Sequence, residues 1–154
     1  MNQHTYTTSK EFITKFEFDF METYSFCRDY EPGFKPNGIE YILQADGSLH
    51  PTADHTHTFQ RTDPQVAEFL QIMQTEIKEV PAWMCAPYYR DAVLFYDSKG
   101  TLITALNICL SCEYMETAPR AHINADAQTY VLLKQFFLSL GHHVEDIFSP
   151  LPAK

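Results

Sequence analysis

Two long apolar segments in this chain are separated by only a short polar turn. The segments are 91–96 (DAVLFY) and 102–110 (LITALNICL), and Ser98-Lys99-Gly100 lies between them. Aliphatic, β-branched and aromatic residues in runs of this length favour strands. Because the apolar residues are consecutive rather than alternating, both faces of each strand should be buried. We therefore predict a hairpin at the centre of a sheet.

Two segments have the periodicity of amphipathic helices. The first follows Thr62-Asp63-Pro64, a polar capping position with proline in the first turn, and its apolar residues recur at helical spacing to Ile77. The second begins near Asn124 or Asp126 and ends before Gly141, a residue suited to the left-handed position that follows a helix.

Two more patterns indicate strands. Aromatic residues alternate with mainly polar ones from Phe16 to Phe26, and Asp46-Gly47 indicates a turn in a short hairpin. Strands in hairpins with interleaved helices predict an α+β fold, in which two principal helices pack on a mainly antiparallel sheet. No repeat or linker divides the 154 residues, so we expect a single globular domain over 1–154, with a frayed tail at 148–154.

The charge balance excludes several classes of partner. The chain has 11 basic and 20 acidic residues, a formal charge of −9, and its four arginines are scattered. Binding to nucleic acid or to an anionic membrane needs clustered basic residues, so neither is expected. No apolar run approaches the roughly 18 residues of a membrane span, and residues 1–12 do not have the pattern of a secretory signal. We predict a cytoplasmic protein, with a protein as one possible partner.

The sequence does not contain the common catalytic motifs. There is no nucleophile elbow, phosphate-binding loop, dinucleotide-binding glycine pattern or H-E-x-x-H zinc motif. The hypothesis that these observations favour is a non-catalytic binding or accessory domain. The alternative is a metal-dependent or thiol-redox enzyme, and it depends on the cysteines.

The predicted hairpin brings three of the four cysteines to one place. If its turn is centred near Lys99-Gly100, residues whose numbers add up to about 199 face each other. Tyr96 then pairs with Ile103, Asp91 with Ile108, and Arg90 with Cys109. On the same ladder Cys112 lies opposite Pro87, within two residues of Cys85. We name this predicted group, Cys85, Arg90, Cys109 and Cys112, the thiol corner.

Three interpretations of the thiol corner are open. The cysteines can be small buried hydrophobes without further function. They can bind zinc, with His55, His57, His142 or His143 as the fourth ligand. They can form a thiol–disulfide centre, although Cys109-x-x-Cys112 follows a strand rather than opening a helix, and the nearby Glu113 and Glu116 disfavour a thiolate.

The histidines have simpler interpretations as well. In an extended segment, His55 and His57 would point to the same side, as metal ligands or an acid–base pair require. Two histidines in a polar loop are more often plain surface residues. His142 and His143 follow a helix and can interact with its negative end.

Residues 85–97 (CAPYYRDAVLFYD) and 106–112 (LNICLSC) resemble a unit found in a group of small bacterial proteins whose activity is not established. The unit has a Cys–Pro–Arg entry, a Phe-Tyr-Asp strand and an Ile-Cys-x-x-Cys exit. The resemblance covers a third to two fifths of the chain. It implies that Cys85, Arg90, Cys109 and Cys112 belong together, and it assigns no catalytic role.

Overall fold

A computed structural model describes residues 7–28, 38–82, 84–118 and 120–144. Its elements, in chain order, are β1 (Thr7–Thr8), α1 (Ser9–Thr14), β2 (Phe20–Ser25), β3 (Asp54–Gln60), α2 (Pro64–Met73), β4 (Asp91–Tyr96), β5 (Leu102–Cys109), β6 (Tyr114–Thr117), β7 (Ile123–Asn124) and α3 (Ala127–Ser139). The predicted tail at 148–154 lies outside the described residues.

The main sheet has five strands in the order β3-β2-β4-β5-β6, and every neighbouring pair is antiparallel. β1 and β7 form a separate short parallel pair. With α2 and α3 as its longer helices, the chain has the α+β fold that the sequence predicts. The β4–β5 hairpin lies inside the sheet, as its apolar faces require.

The register of this hairpin agrees with the prediction over most of its length. Pairs run from Asp91↔Ile108 to Phe95↔Thr104, and then the register shifts, so that Tyr96 pairs with Leu102 and not with Ile103. The shift adjoins a turn that the Asp97 carboxylate holds by accepting two backbone N–H groups. A bulge of this kind adds one residue to one strand and displaces the pairs beyond it.

Each face of the sheet has its own hydrophobic core. Most side chains of the first core come from the three helices and the strand residues that face them, among them Phe69, Phe95, Phe136 and Phe137. The second core, on the opposite face, contains Cys27, Cys109 and Cys112, with Cys85 packed against it. We call these the helix face and the cysteine face. All four cysteines of the chain therefore lie on the cysteine face.

The helix boundaries follow from local residues. Pro64 opens α2, while the Asp63 side chain accepts the backbone N–H of Gln60 instead of capping the helix. Asp126 caps α3 and also accepts two N–H groups from the chain at 78–79. These backbone hydrogen bonds lower the pKa of the Asp126 carboxyl. Gly141 has φ +91°, the left-handed conformation predicted for it. Among the described residues, no helix is both long and apolar enough to cross a membrane.

Candidate functional site

The three cysteines of the thiol corner lie together. Cys85 and Cys112 form a disulfide, with 6.3 Å between their Cα atoms. Cys109 ends β5, and its Sγ accepts hydrogen bonds from the backbone N–H groups of Tyr88 (3.3 Å) and Cys112 (3.4 Å). The disulfide thus joins one cysteine of the C-x-x-C motif to the distant Cys85, and Cys109 is a buried thiol beside it.

Arg90 lies next to this corner but faces an aromatic ring. Its guanidinium covers the ring of Tyr88, with 3.9 Å from Cζ to the ring centroid. Its carbonyl accepts hydrogen bonds from Phe26 and from the Arg28 guanidinium. Phe26 and Arg28 follow β2, so these hydrogen bonds connect the chain before β4 to the chain after β2.

The structure separates the two histidines that the sequence places on one side. A bulge between Thr23 and Tyr24 shifts the β2–β3 register, so His57 pairs with Thr23 and His55 with Tyr24. His57 then stacks on Phe59 of the helix face, and His55 packs against Tyr24 of the cysteine face. The expectation of a shared side is wrong, because it assumed regular alternation and the bulge breaks it.

His142 belongs to a buried polar network on the helix face. Its Nδ1 lies 2.6 Å from Asp91 Oδ1, and its Nε2 lies 2.9 Å from Thr56 Oγ1. Arg28 donates to both Asp91 oxygens at 3.3 Å. The order carboxylate, imidazole, hydroxyl is that of a catalytic triad, but Thr56 Oγ1 also donates to the Thr23 carbonyl and contacts its hydroxyl. With these contacts, the hydroxyl ties β2 and β3 to the chain that follows α3.

A second cluster, which the sequence did not predict, lies on the cysteine face. The Cys27 sulfur, one Glu40 carboxylate oxygen and one His50 ring nitrogen all lie within 4.8 Å of one another. Within the described residues this is the group that has metal-ligand geometry, and it includes none of the predicted ligands. The predicted zinc set is not assembled there, because two of its sulfurs share a bond and His142 contacts Asp91.

This cluster borders a cleft formed by two adjoining cavities. One cavity, of about 490 Å³, includes Glu40, His50 and Thr52 in its wall. The other, of about 430 Å³, is bounded by the sheet and by the chain around the predicted turn at 46–47. The two cavities share the following lining residues: Tyr41, Leu43, Gln44 and Arg120. We use "the cleft" for the two cavities together.

The wall between the two cavities is held in place by a carboxylate. Glu116 Oε1 accepts hydrogen bonds from the hydroxyls of Tyr41 (2.9 Å) and Tyr89 (2.6 Å). Burial, followed by the effect of Glu116, raises the pKa of Tyr41 to about 12 and also raises that of the buried Tyr89. Both phenols therefore keep their protons, and the Arg120 guanidinium lies over the Tyr41 ring, 4.3 Å from its centroid.

A buried amide fastens the covering chain to the sheet. Asn107 Oδ1 accepts the backbone N–H of Ile42 at 2.7 Å, and its Nδ2 donates to the Glu116 carbonyl. The local sequence does not predict the contact between Asn107 and Ile42, because the two residues are 65 positions apart in the chain. The isolated bridge Leu43↔Leu49 and φ +87° at Gly47 confirm the turn predicted there.

Comparison with protein-family models, curated protein sequences and solved structures finds no match to this chain. The resemblance to the group of small bacterial proteins therefore stays a prediction.

Proposed function

We propose that this chain is a binding domain that holds a small ligand in the cleft. The observation that carries the proposal is the pair of adjoining cavities on either side of the Tyr41–Arg120 stack. Cavities of 300–1,000 Å³ are typical of small-molecule sites, which combine apolar walls with a few fixed polar groups. Here the apolar wall includes Leu43, Ala45 and Ala118, and the polar groups are anchored by hydrogen bonds to Glu116 and by Asn107.

The charges of the lining favour a ligand with an acidic group. Arg120 is the one charged side chain among the described lining residues of the 430 Å³ cavity, in a chain of formal charge −9, whereas the carboxylate of Glu40 lines the other cavity. A guanidinium binds carboxylate or phosphate groups through paired N–H donors. The ligand would place its acidic group against Arg120 and its apolar body against Leu43 and Ala118.

The experiment is a nuclear magnetic resonance titration of the full chain with small carboxylates and with their neutral amide analogues. We expect carboxylates to perturb the resonances of Tyr41, Leu43 and Ala118, and Arg120→Ala to weaken their binding about tenfold, the equivalent of one charge-assisted hydrogen bond. Arg61→Ala is the matched control, because Arg61 also covers an aromatic ring, that of Phe18, at 5.3 Å. If no carboxylate perturbs these resonances, or if both arginine variants bind equally well, the proposal is wrong.

The disulfide favours a second candidate function, thiol–disulfide exchange at the thiol corner. Cys85 is partly exposed whereas Cys112 is buried, so an incoming thiolate reaches the Cys85 sulfur first. Attack there forms a mixed disulfide with Cys85 and releases Cys112 as a thiolate, which then takes up a proton. In the cytoplasm that we propose for this protein, disulfides are usually catalytic or redox-sensing, which agrees with a reversible bond.

Glu113 and Glu116, whose charges disfavour a thiolate at the thiol corner, both have partners that hold their carboxylates. Glu113 forms an ion pair with Lys134 at 3.3 Å, and the Glu116 carboxylate accepts two tyrosine hydroxyls. Because both carboxylates have such partners, their negative charges disfavour a thiolate at the corner less than the sequence order suggests.

Equilibration of the full chain in glutathione buffers, followed by alkylation and mass spectrometry, tests the second candidate. We expect a reversible change from two to four alkylated cysteines. Glutathione should be trapped on Cys85 in Cys112→Ser, and far less on Cys112 in Cys85→Ser. A bond that stays oxidised in the most reducing cytosolic buffer would identify the disulfide as structural, contrary to this candidate.

A further inference from the structure

We propose that Cys27, Glu40 and His50 bind a zinc-type divalent cation, with one coordination position open to the cleft. This inference goes beyond the binding function and does not depend on it. A thiolate, an imidazole and a carboxylate are all zinc ligands, and three protein ligands with one open position are typical of catalytic zinc sites. The thiolate and imidazole favour zinc over magnesium or calcium, which prefer oxygen.

The separation of the donor atoms fits such an ion. Tetrahedral zinc with ordinary bond lengths holds its sulfur and nitrogen ligands about 3.6 Å apart. Cys27 Sγ and His50 Nε2 are 3.7 Å apart. Glu40 Oε1 is in hydrogen-bond contact with the same nitrogen, so it must move outward to share a cation with it. The Glu40 side chain is 28% exposed, and the adjacent cavity gives it room for that movement.

Thr52 orients both of the buried ligands. Its Oγ1 accepts the Cys27 backbone N–H at 2.7 Å and lies 2.9 Å from His50 Nδ1. When Nδ1 carries the ring proton and donates it to this hydroxyl, the lone pair of Nε2 points toward Cys27 and Glu40. Hydrogen bonds of this kind fix the tautomer of metal-binding histidines. The Thr52 N–H lies 3.1 Å from Nδ1 and offers the partner for the opposite tautomer of the metal-free protein.

The backbone of Cys27 is held in an unusual conformation. Its φ is +59°, in the left-handed region that favours glycine, and it lies two residues after Ser25, the last residue of β2. The Tyr88 hydroxyl donates to the Cys27 carbonyl, and Thr52 accepts its N–H, so two long-range contacts hold this conformation. Strained residues of this kind are concentrated at functional sites.

Cation binding is balanced by proton release. The Cys27 thiol loses its proton to become the ligand thiolate, and the proton that Nε2 shares with Glu40 moves to Nδ1 or to solvent. The open position takes a water molecule or an acidic group of a molecule in the cleft, because Glu40, His50 and Thr52 line that cavity.

The experiment titrates the full chain, first treated with a chelator, with Zn²⁺ in competition with a chromophoric chelator, and separately with Co²⁺. We expect one equivalent of Zn²⁺ to bind and Co²⁺ to give a thiolate-to-metal charge-transfer band. Cys27→Ser and His50→Gln should weaken Zn²⁺ binding by at least about 100-fold, and Thr52→Val by about tenfold. Cys109→Ser is the matched control, since Cys109 is the other buried thiol outside the disulfide, and it should keep both the affinity and the band.

Some outcomes overturn the inference. It is wrong if the wild-type chain binds no stoichiometric Zn²⁺ or shows no charge-transfer band, or if a folded Cys27→Ser variant keeps its affinity. Glu40→Gln provides a variant that should fold, because the side chain is partly exposed, and it should weaken binding about tenfold. The Zn²⁺ titration measures metal affinity, and the carboxylate titration measures shifts of Tyr41, Leu43 and Ala118, so a failure of the cleft proposal is distinguishable from a failure of this one.

Discussion

Asp91→Asn is expected to lower the free energy of unfolding by about 3–5 kcal/mol, the usual cost of removing one partner of a buried ion pair. Asp91 is 2% exposed, and its carboxylate is the acceptor for both Arg28 and His142. Asparagine has nearly the same shape, so the loss comes from the charge and not from a cavity. The Arg28 guanidinium and the buried His142 ring are left without the anion that offsets their desolvation.

Urea denaturation of the wild type and the variant at neutral pH measures this change through the midpoint and the slope. Glu68→Gln is the matched control, since it removes one exposed carboxylate from α2 and should change the free energy of unfolding by no more than about 0.5 kcal/mol. A loss below about 1 kcal/mol for Asp91→Asn would contradict the structural role assigned to the network. Thr56→Val should give a smaller loss of about 1–3 kcal/mol, because it removes the hydroxyl contacts with His142 and Thr23 but leaves the buried ion pair intact.

Removal of the Cys85–Cys112 disulfide is expected to lower the free energy of unfolding by about 3.5 kcal/mol. The two cysteines are 27 residues apart, and the cross-link reduces the conformational entropy of the unfolded chain by an amount that grows with the logarithm of this separation. The native contacts of β5 and of the entry to β4 do not depend on the bond. The fold should therefore persist after reduction, with an earlier urea midpoint.

The measurement compares urea unfolding of the wild type with and without reductant, beside the double variant Cys85→Ala/Cys112→Ala. Reductant should destabilise the wild type and have no further effect on the double variant, which lacks the bond. If the wild type is insensitive to reductant, or if the double variant responds as strongly, the stabilising bond is not the one between these two cysteines.

The predictable part of the fold is the part with strong local periodicity. The helices α2 and α3 each bury one apolar stripe, so their apolar residues recur at helical spacing. The strands of the β4–β5 hairpin are buried on both faces, so their apolar residues are consecutive. β3 has no such pattern, because it is an edge strand with a single buried residue, Phe59, among its seven. Its sequence, DHTHTFQ, is typical of a polar loop. It forms a strand because it pairs with β2.

One of the two candidate sites could likewise be predicted from the sequence, and the other could not. The closeness of Cys85 to Cys109 and Cys112 follows from counting residues along a hairpin, since a ladder fixes which residues are opposite one another. The cluster of Cys27, Glu40 and His50 could not be found by counting, because none of its members lies in a helix or strand whose periodicity would place it. The only local signal was a cysteine near the end of a strand, which by spacing alone matches no ligand pattern.

Contacts between residues close in the chain were enough to predict the α+β class, the central hairpin with its register up to the shift at Tyr96, and the starts of the two longer helices. The predicted end of α2 is wrong, because its apolar spacing continues to Ile77 but the helix ends at Met73. Three features become apparent only from the three-dimensional structure: the disulfide between Cys85 and Cys112, the opposite faces of His55 and His57, and the contact of Cys27 with His50. These features depend on one bulge and on side-chain hydrogen bonds from Thr52 and Asn107 to distant backbone. Such contacts join residues that are distant in the chain, so they leave no periodic trace in the sequence.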